Sequence, residues 1–477
     1  MTVPVLVRFV RNSGRSAAPH RSLLIAGAVC LASFAAFWIA QRAAAVSMID
    51  LLVYRAEGRT VLEGRDLYAM RATAARLPTT YPPFAALLFT PLTLPSVPVL
   101  RTLATAGNLL LLVVFVRLSL RLVLQGKTPP PKEGTQKEAG TQKAAVPWAA
   151  TLWVAAFAVW CEPVWTTLRY GQINLLLAVA VLWDLCPRAP RDLRDLRDPR
   201  GKGATGDQAA PGAPGQGHRW AGAGIGFAAA VKLTPALFAV LLLLTGLVRA
   251  RRAGWNPWLR QAATAGAVFA GTTLLAAALL PGDSRRYWTG ILFEAARAGR
   301  AEDTANQSLR GVLARLLHTS DPGLWWPLVA VLVTGAGLTA AVAAALRGER
   351  AGAVAACAAT ALLISPVSWS HHWVWCVPVV LFLAARGATG RGATGRGATG
   401  RGATARGATG RATAVWLVFC SYALWWVPHG SGAPELAQGA TEMALSALYP
   451  LTALALIGWL LGETVRARGY GQAVANE

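Results

Sequence analysis

Long apolar runs alternate along this chain with short polar breaks, and the lengths of the runs set the expected architecture. A helix crosses the hydrocarbon core with roughly 20 apolar residues, fewer where it is broken inside the protein. Residues 23–42, 99–124, 262–280 and 324–346 meet that length. The runs at 147–165, 173–186, 351–366, 374–385, 414–427 and 445–461 are shorter, and are expected to cross within a bundle. Residues 82–94 are apolar but bracketed by prolines, which favours a re-entrant or interfacial element over a full span. Residues 220–231 and 233–248 flank Lys232-Leu233-Thr234-Pro235, so either a tight hairpin or one Pro-kinked helix is expected there. The pattern predicts an all-α polytopic membrane protein of about twelve transmembrane helices.

Charge orients these spans. The formal net charge is +24, yet Lys and Arg sit in short runs between apolar segments, the distribution of cytoplasmic membrane loops rather than of a nucleic-acid-binding surface. The basic cluster of Arg8, Arg11, Arg15 and Arg21 precedes the first run, which is read as a retained signal-anchor with its N-terminus inside. With 54% hydrophobic and 14% charged residues, an ordinary soluble enzyme is excluded. The expected organisation is a cytoplasmic N-terminus at 1–22 and a transmembrane catalytic core at 23–385, interrupted by disordered cytoplasmic insertions at 125–146 and 187–219. A low-complexity basic linker at 386–413, built on a repeated Arg-Gly-Ala-Thr-Gly unit, leads to C-terminal transmembrane helices at 414–462 and a cytoplasmic tail at 463–477. The six cysteines are scattered singly without CxxC spacing and read as small buried hydrophobes.

Under this topology the misplaced polar residues gather at the external face: Asp50, Tyr81, the turn at 166–172 that ends in Gln172, Asn174 after it, Lys232, Asn306, Gln307, and the His371-His372 pair. Such groups cost roughly 2.5–3.5 kcal/mol for Asp or Lys at mid-membrane, so they face hydrated cavities. Each has a plainer use. A lone Asp after a helix ordinarily caps it, buried amides hydrogen-bond neighbouring helices, and a Lys near a helix end snorkels. Trp369 fits an interfacial aromatic belt. Adjacent histidines on a helix diverge by about 100° and do not converge on one metal.

As an ordered set these stretches are more specific than any one of them. Asp50-x-x-x-Tyr54, Leu67-Tyr68, Tyr81-Pro82-Pro83-Phe84, Gly171-Gln172-Ile173-Asn174, residues 229–235 ending Lys232-Leu233-Thr234-Pro235, Asn306-Gln307-Ser308-Leu309 and residues 365–372 ending His371-His372 resemble the actinobacterial polyprenol-phosphate-mannose-dependent α-1,2-mannosyltransferases, membrane glycosyltransferases of the GT-C type. The resemblance covers about residues 23–375, with long insertions only on the expected cytoplasmic side.

It implies transfer of mannose from a polyprenol-phosphate-linked donor to a cell-envelope glycolipid or glycan, with inversion, at the extracytoplasmic face of the plasma membrane. In that scheme Asp50 is the general base. Lys232, His371 and His372 bind the donor phosphate, and Tyr54, Tyr81, Gln172, Asn174, Asn306, Gln307 and Trp369 bind sugar. No cofactor, metal or nucleic-acid partner is expected. Two alternatives stay open: an arabinosyltransferase using polyprenol-phosphate-arabinose, and a lipid or solute transporter or flippase.

Overall fold

A computed structural model describes residues 19–125, 146–186, 220–389 and 398–475; the expected insertions and the N-terminal basic cluster up to Arg15 fall outside the described residues. Among these the protein is helical, with one two-stranded sheet of two residues per strand, β1 (Arg71–Ala72) and β2 (Leu77–Pro78).

The chain enters through α1 (Pro19–Ala43) and turns into α2 (Ile49–Leu62). After the small sheet come the short α3 (Pro83–Phe89), begun by proline at its first position, and the long α4 (Val97–Gln125). Then follow α5 (Trp148–Ala158), α6 (Glu162–Tyr170), α7 (Asn174–Leu185), α8 (Ala223–Val231), α9 (Ala236–Ala253) and α10 (Pro257–Leu279). The start of α10 is capped by the Asn256 side chain, which accepts from the Trp258 and Leu259 amides. The remainder comprises α11 (Pro281–Thr289), α12 (Leu309–Leu316), α13 (Trp325–Leu346), α14 (Arg350–Ile364), α15 (Cys376–Thr389), α16 (Ala398–Cys420), α17 (Ala440–Ser446) and α18 (Leu448–Ala475).

Two faces of this bundle explain its composition. α1 and α13 expose Leu24, Ile25, Leu31, Leu328, Val331 and Leu332, a surface that only lipid covers at little cost. α14 is buried on all sides from Gly352 to Leu363, and nine of those twelve residues are Ala, Gly, Cys or Thr, small side chains that let neighbouring backbones approach. It packs against α13, α15 and α18.

Five described helices are long and apolar enough to cross a membrane, six if the bent pair α6–α7 is one broken span. The expected twelve is therefore not reached by helices of full spanning length; α5 and α14, among others, are shorter apolar helices. The run at 147–165 illustrates the cause. It breaks after Ala158, α6 restarts at Glu162 under Pro163, and the axis of α6 lies 118° from that of α7. The external turn expected over 166–172 thus contracts to Gly171, Gln172 and Ile173, with Thr166–Tyr170 inside α6. Residues 398–413, expected as linker, form the first turns of α16.

Candidate active site

The breaks between helices converge on one cavity of about 1050 Å³. Asp50 reaches it from the first turn of α2, Tyr81 from the segment before α3, Gln172 from the α6–α7 turn, Lys232 from the non-helical turn between α8 and α9, and Trp369, His371 and His372 from the segment after α14. Of the eleven residues expected to act on substrate, Asp50, Tyr54, Tyr81, Gln172, Lys232, Trp369, His371 and His372 line it; Asn174, Asn306 and Gln307 do not.

Asp50 follows a tense entry. Met48, the residue capping α2, holds a left-handed backbone (φ +52°), a conformation that costs a non-glycine about 1–3 kcal/mol. The carboxylate then sits in the first helical turn, where free backbone N–H groups favour negative charge. Gln172 Nε2 donates to Asp50 Oδ2 at 2.6 Å, and Gln172 Oε1 accepts from the Tyr54 hydroxyl at 2.7 Å. Tyr54 and Tyr81 hydroxyls lie 2.9 Å apart. The amide is thereby oriented: its oxygen is fixed by a phenol, so its nitrogen faces the carboxylate. Gly171 makes the placement possible. It closes α6 with φ +69°, and a Cβ on it would stand 2.8 Å from Leu51 Cβ.

Burial pushes the Asp50 carboxyl up to about 6, while the Gln172 hydrogen bond and then the Lys232 charge pull it down. Glu57, two turns along α2 and fully buried, is pushed up to about 8 by burial, with Thr79 opposing and the Asp50 charge adding to the rise. It is neutral near pH 7 and leaves Asp50 as the anion facing Lys232.

Lys232 Nζ donates to Asn174 Oδ1 at 3.2 Å and to His372 Nε2 at 2.8 Å, and lies 5.6 Å from the Tyr81 ring centre. Burial pushes it down to about 7, opposed by Asp50. Burial, and then the Lys232 charge, hold His371 and His372 well below the usual histidine range, so both are neutral. The histidine rings stand nearly perpendicular at 89°, and His371 Nε2 has no partner among the described residues.

Several expected contacts are put to other uses. Asn306 and Gln307 are fully buried beneath the cavity wall. Asn306 Oδ1 accepts from the Ser308 and Ser368 amides, and Gln307 Nε2 donates to the Thr304 and Ser446 carbonyls, so they carry the strand-like stretch under Trp369 rather than meet sugar. Asn174 is spent on Lys232 and on the His371 carbonyl. Tyr54 is 3% exposed with its ring stacked on Phe89 at 4.5 Å, which removes it from pyranose stacking. Trp369 is half-buried and open to the cavity, its ring set over Gly299, where φ +138° and the indole together exclude a side chain.

One residue escaped the sequence reading. Glu162, fully buried, accepts from Thr166 Oγ1, Ser370 Oγ, Trp425 Nε1 and Tyr449 Oη, tying α6, the His371 segment, the 423–425 turn and α18 together. Its signal was available, an acid interrupting an apolar run. Among the described residues no three His, Cys, Asp or Glu side chains gather as metal ligands.

The sequence profile of Glycosyltransferase family 87 matches residues 80–366. The chain belongs to this family. The family 87 match takes in Tyr81, Gln172 and Lys232, while Asp50 lies N-terminal to it and the histidine pair just beyond its end. Among curated proteins, the chain is 32% identical over 345 residues to a polyprenol-phosphate-mannose-dependent alpha-(1-2)-phosphatidylinositol mannoside mannosyltransferase of Mycobacterium tuberculosis, covering 71% of this chain and 70% of that one. It is 34% identical over 350 residues to the protein of the same name from Mycolicibacterium smegmatis, covering 70% and 69%. A pentamannoside mannosyltransferase of Mycolicibacterium smegmatis is 31% identical, with 72% of each chain covered. The resemblance carried by the ordered motifs is thus borne out. No solved structure matches the chain.

Proposed function

We propose that this family 87 glycosyltransferase moves mannose from polyprenol-phosphate-mannose to a hydroxyl of a phosphatidylinositol-mannoside-type glycolipid, forming an α-1,2 bond with inversion at the extracytoplasmic face of the plasma membrane. The carrying observation is that a carboxylate with one oxygen tied to Gln172 shares a cavity with the Lys232–His372 pair. The names of the curated relatives support the donor and acceptor class.

In the reaction the acceptor oxygen forms a bond to the mannose anomeric carbon as the bond from that carbon to the phosphate oxygen breaks. Asp50 takes the hydroxyl proton through its free Oδ1, which raises the nucleophilicity of a weakly acidic alcohol. The leaving phosphate carries away the electron pair. Lys232, held by Asn174 and His372, and the unpartnered His371 Nε2 offer donors to that charge in a partly water-excluded site. Trp369 gives the sugar an aromatic face, and the apolar wall from Leu233, Leu237 and Val240 suits the polyprenyl chain. The core at 23–385 carries all these groups.

The gathering of charge at one cavity, rather than along the membrane depth, favours transfer over transport. Asp50→Asn keeps shape and the Gln172 contact but removes the base. In membranes given radiolabelled polyprenol-phosphate-mannose it is expected to lose about 10²–10⁴-fold in transfer rate while inserting normally. Near-normal turnover would reject the base.

A further inference from the structure

Outside the catalytic cavity, the junction of α1 and α4 forms a second hollow of about 190 Å³, lined by Trp38, Gln41, Arg42, Arg101 and Thr105 together with Met48. Its two guanidiniums face no carboxylate among the described residues of the lining. Arg42 Nη2 donates to Thr102 Oγ1 at 2.9 Å and Arg101 Nε to the Ser47 carbonyl at 3.1 Å, which orient both groups without neutralising them. Gln41 is 8% exposed, and neither its amide nitrogen nor its amide oxygen has a partner among the described residues. A buried amide N–H left unpaired costs about 1–3 kcal/mol, so the Nε2 donor is explained best by an acceptor that completes it. Just beyond the rim, Ile39 and Leu103 are 67% and 59% exposed on the outer face of the same two helices, and Trp38 lies under Arg42 at 5.9 Å. Apolar side chains toward the hydrocarbon, tryptophan at the boundary and paired arginines above it mark the level of lipid headgroups.

We propose that this hollow binds the phosphate of one anionic phospholipid, with Arg42 and Arg101 pairing its oxygens and Gln41 Nε2 donating a third hydrogen bond. Arginine suits the task because its planar fork meets phosphate oxygens two at a time. The apolar collar selects a lipid headgroup over free phosphate. The site is separate from the transfer chemistry and stands whether or not that chemistry is as proposed.

Native mass spectrometry of the full chain released from nanodiscs of phosphatidylcholine with a minor share of phosphatidylinositol tests it. The wild type is expected to retain one phosphatidylinositol, and Arg42→Gln with Arg101→Gln to lower that retention by about tenfold or more. Gln41→Leu separates binding from folding. It removes the unpaired amide, so it is expected to raise the melting temperature in phosphatidylcholine alone while abolishing the further rise that phosphatidylinositol gives the wild type. Equal retention by the double arginine variant, or an undiminished lipid-dependent rise in Gln41→Leu, overturns the proposal. Displacement of the lipid by millimolar inorganic phosphate would identify a free-phosphate site and overturns it equally.

Discussion

Replacing Gln172 by Leu tests the link between the hydrogen-bond chain and the chemistry. The amide is the strongest influence opposing burial at Asp50, and its loss frees that carboxyl to rise above its present value of about 6. A hydrogen bond to a charged group is worth about 1.5–3 kcal/mol, equivalent to an upward shift of about 1–2 pH units. The other limb is set by Lys232, whose ammonium, pushed down to about 7, is lost as pH rises. With Asp50 as the base and Lys232 as the phosphate donor, transfer needs the first ionised and the second protonated, so kcat/KM is expected to be bell-shaped with an optimum near pH 6.5, midway between about 6 and about 7. With the acid limb raised, the fraction of correctly charged enzyme at the optimum falls from about 0.6 to about 0.1–0.3, and the optimum moves about 0.5–1 pH unit alkaline. The measurement is kcat/KM for mannosyl transfer between pH 5 and 9 in detergent or nanodiscs. A lower profile with an unmoved optimum refutes the reasoning, because it would mean that Gln172 merely packs.

Lys232→Met is expected to lower kcat/KM for the phosphate-linked donor by about 10²-fold or more and to erase the alkaline limb, read from the same pH series. Gly171→Ala puts a Cβ into Leu51 and a side chain at φ +69°; a stability loss of about 1–3 kcal/mol by thermal melting, with weaker transfer, is expected. Glu162→Ala leaves Ser370, Tyr449, Thr166 and Trp425 donors unpaired in the interior, and is expected to cost about 3 kcal/mol or more of stability and to reduce the folded yield in fluorescence-detected chromatography.

The cavity was legible because its polar residues fall at interruptions of apolar runs, and interruptions are where helices end. Asp50 follows α1, Gln172 separates α6 from α7, Lys232 separates α8 from α9, and His371 with His372 follow α14. Periodicity and length do not reveal that a run such as 147–165 breaks at Ala158; Pro163 signals an interruption, but the contacts Glu162 makes there with Ser370 and with Tyr449, 287 residues away, cannot be read from the run itself. The amides meet a similar limit. Asn306, Gln307 and Asn174 have the donor and acceptor pairs that suit sugar hydroxyls, and those same pairs suit buried backbone; only the surroundings decide, and here backbone and Lys232 claim them.

The clamp on Asp50 has a stereochemical corollary. A carboxylate that rotates freely can meet a hydroxyl from many directions, and would let an acceptor ring react at whichever oxygen arrives first. Here Oδ2 is engaged at 2.6 Å by an amide that a tyrosine holds in turn. With Asp50 as the base, the carboxylate plane is fixed and Oδ1 presents its two lone pairs in set directions, so regiochemistry becomes a matter of approach angle: the ring oxygen that is glycosylated is the one whose O–H can point along one of those lines while its carbon skeleton clears Trp369.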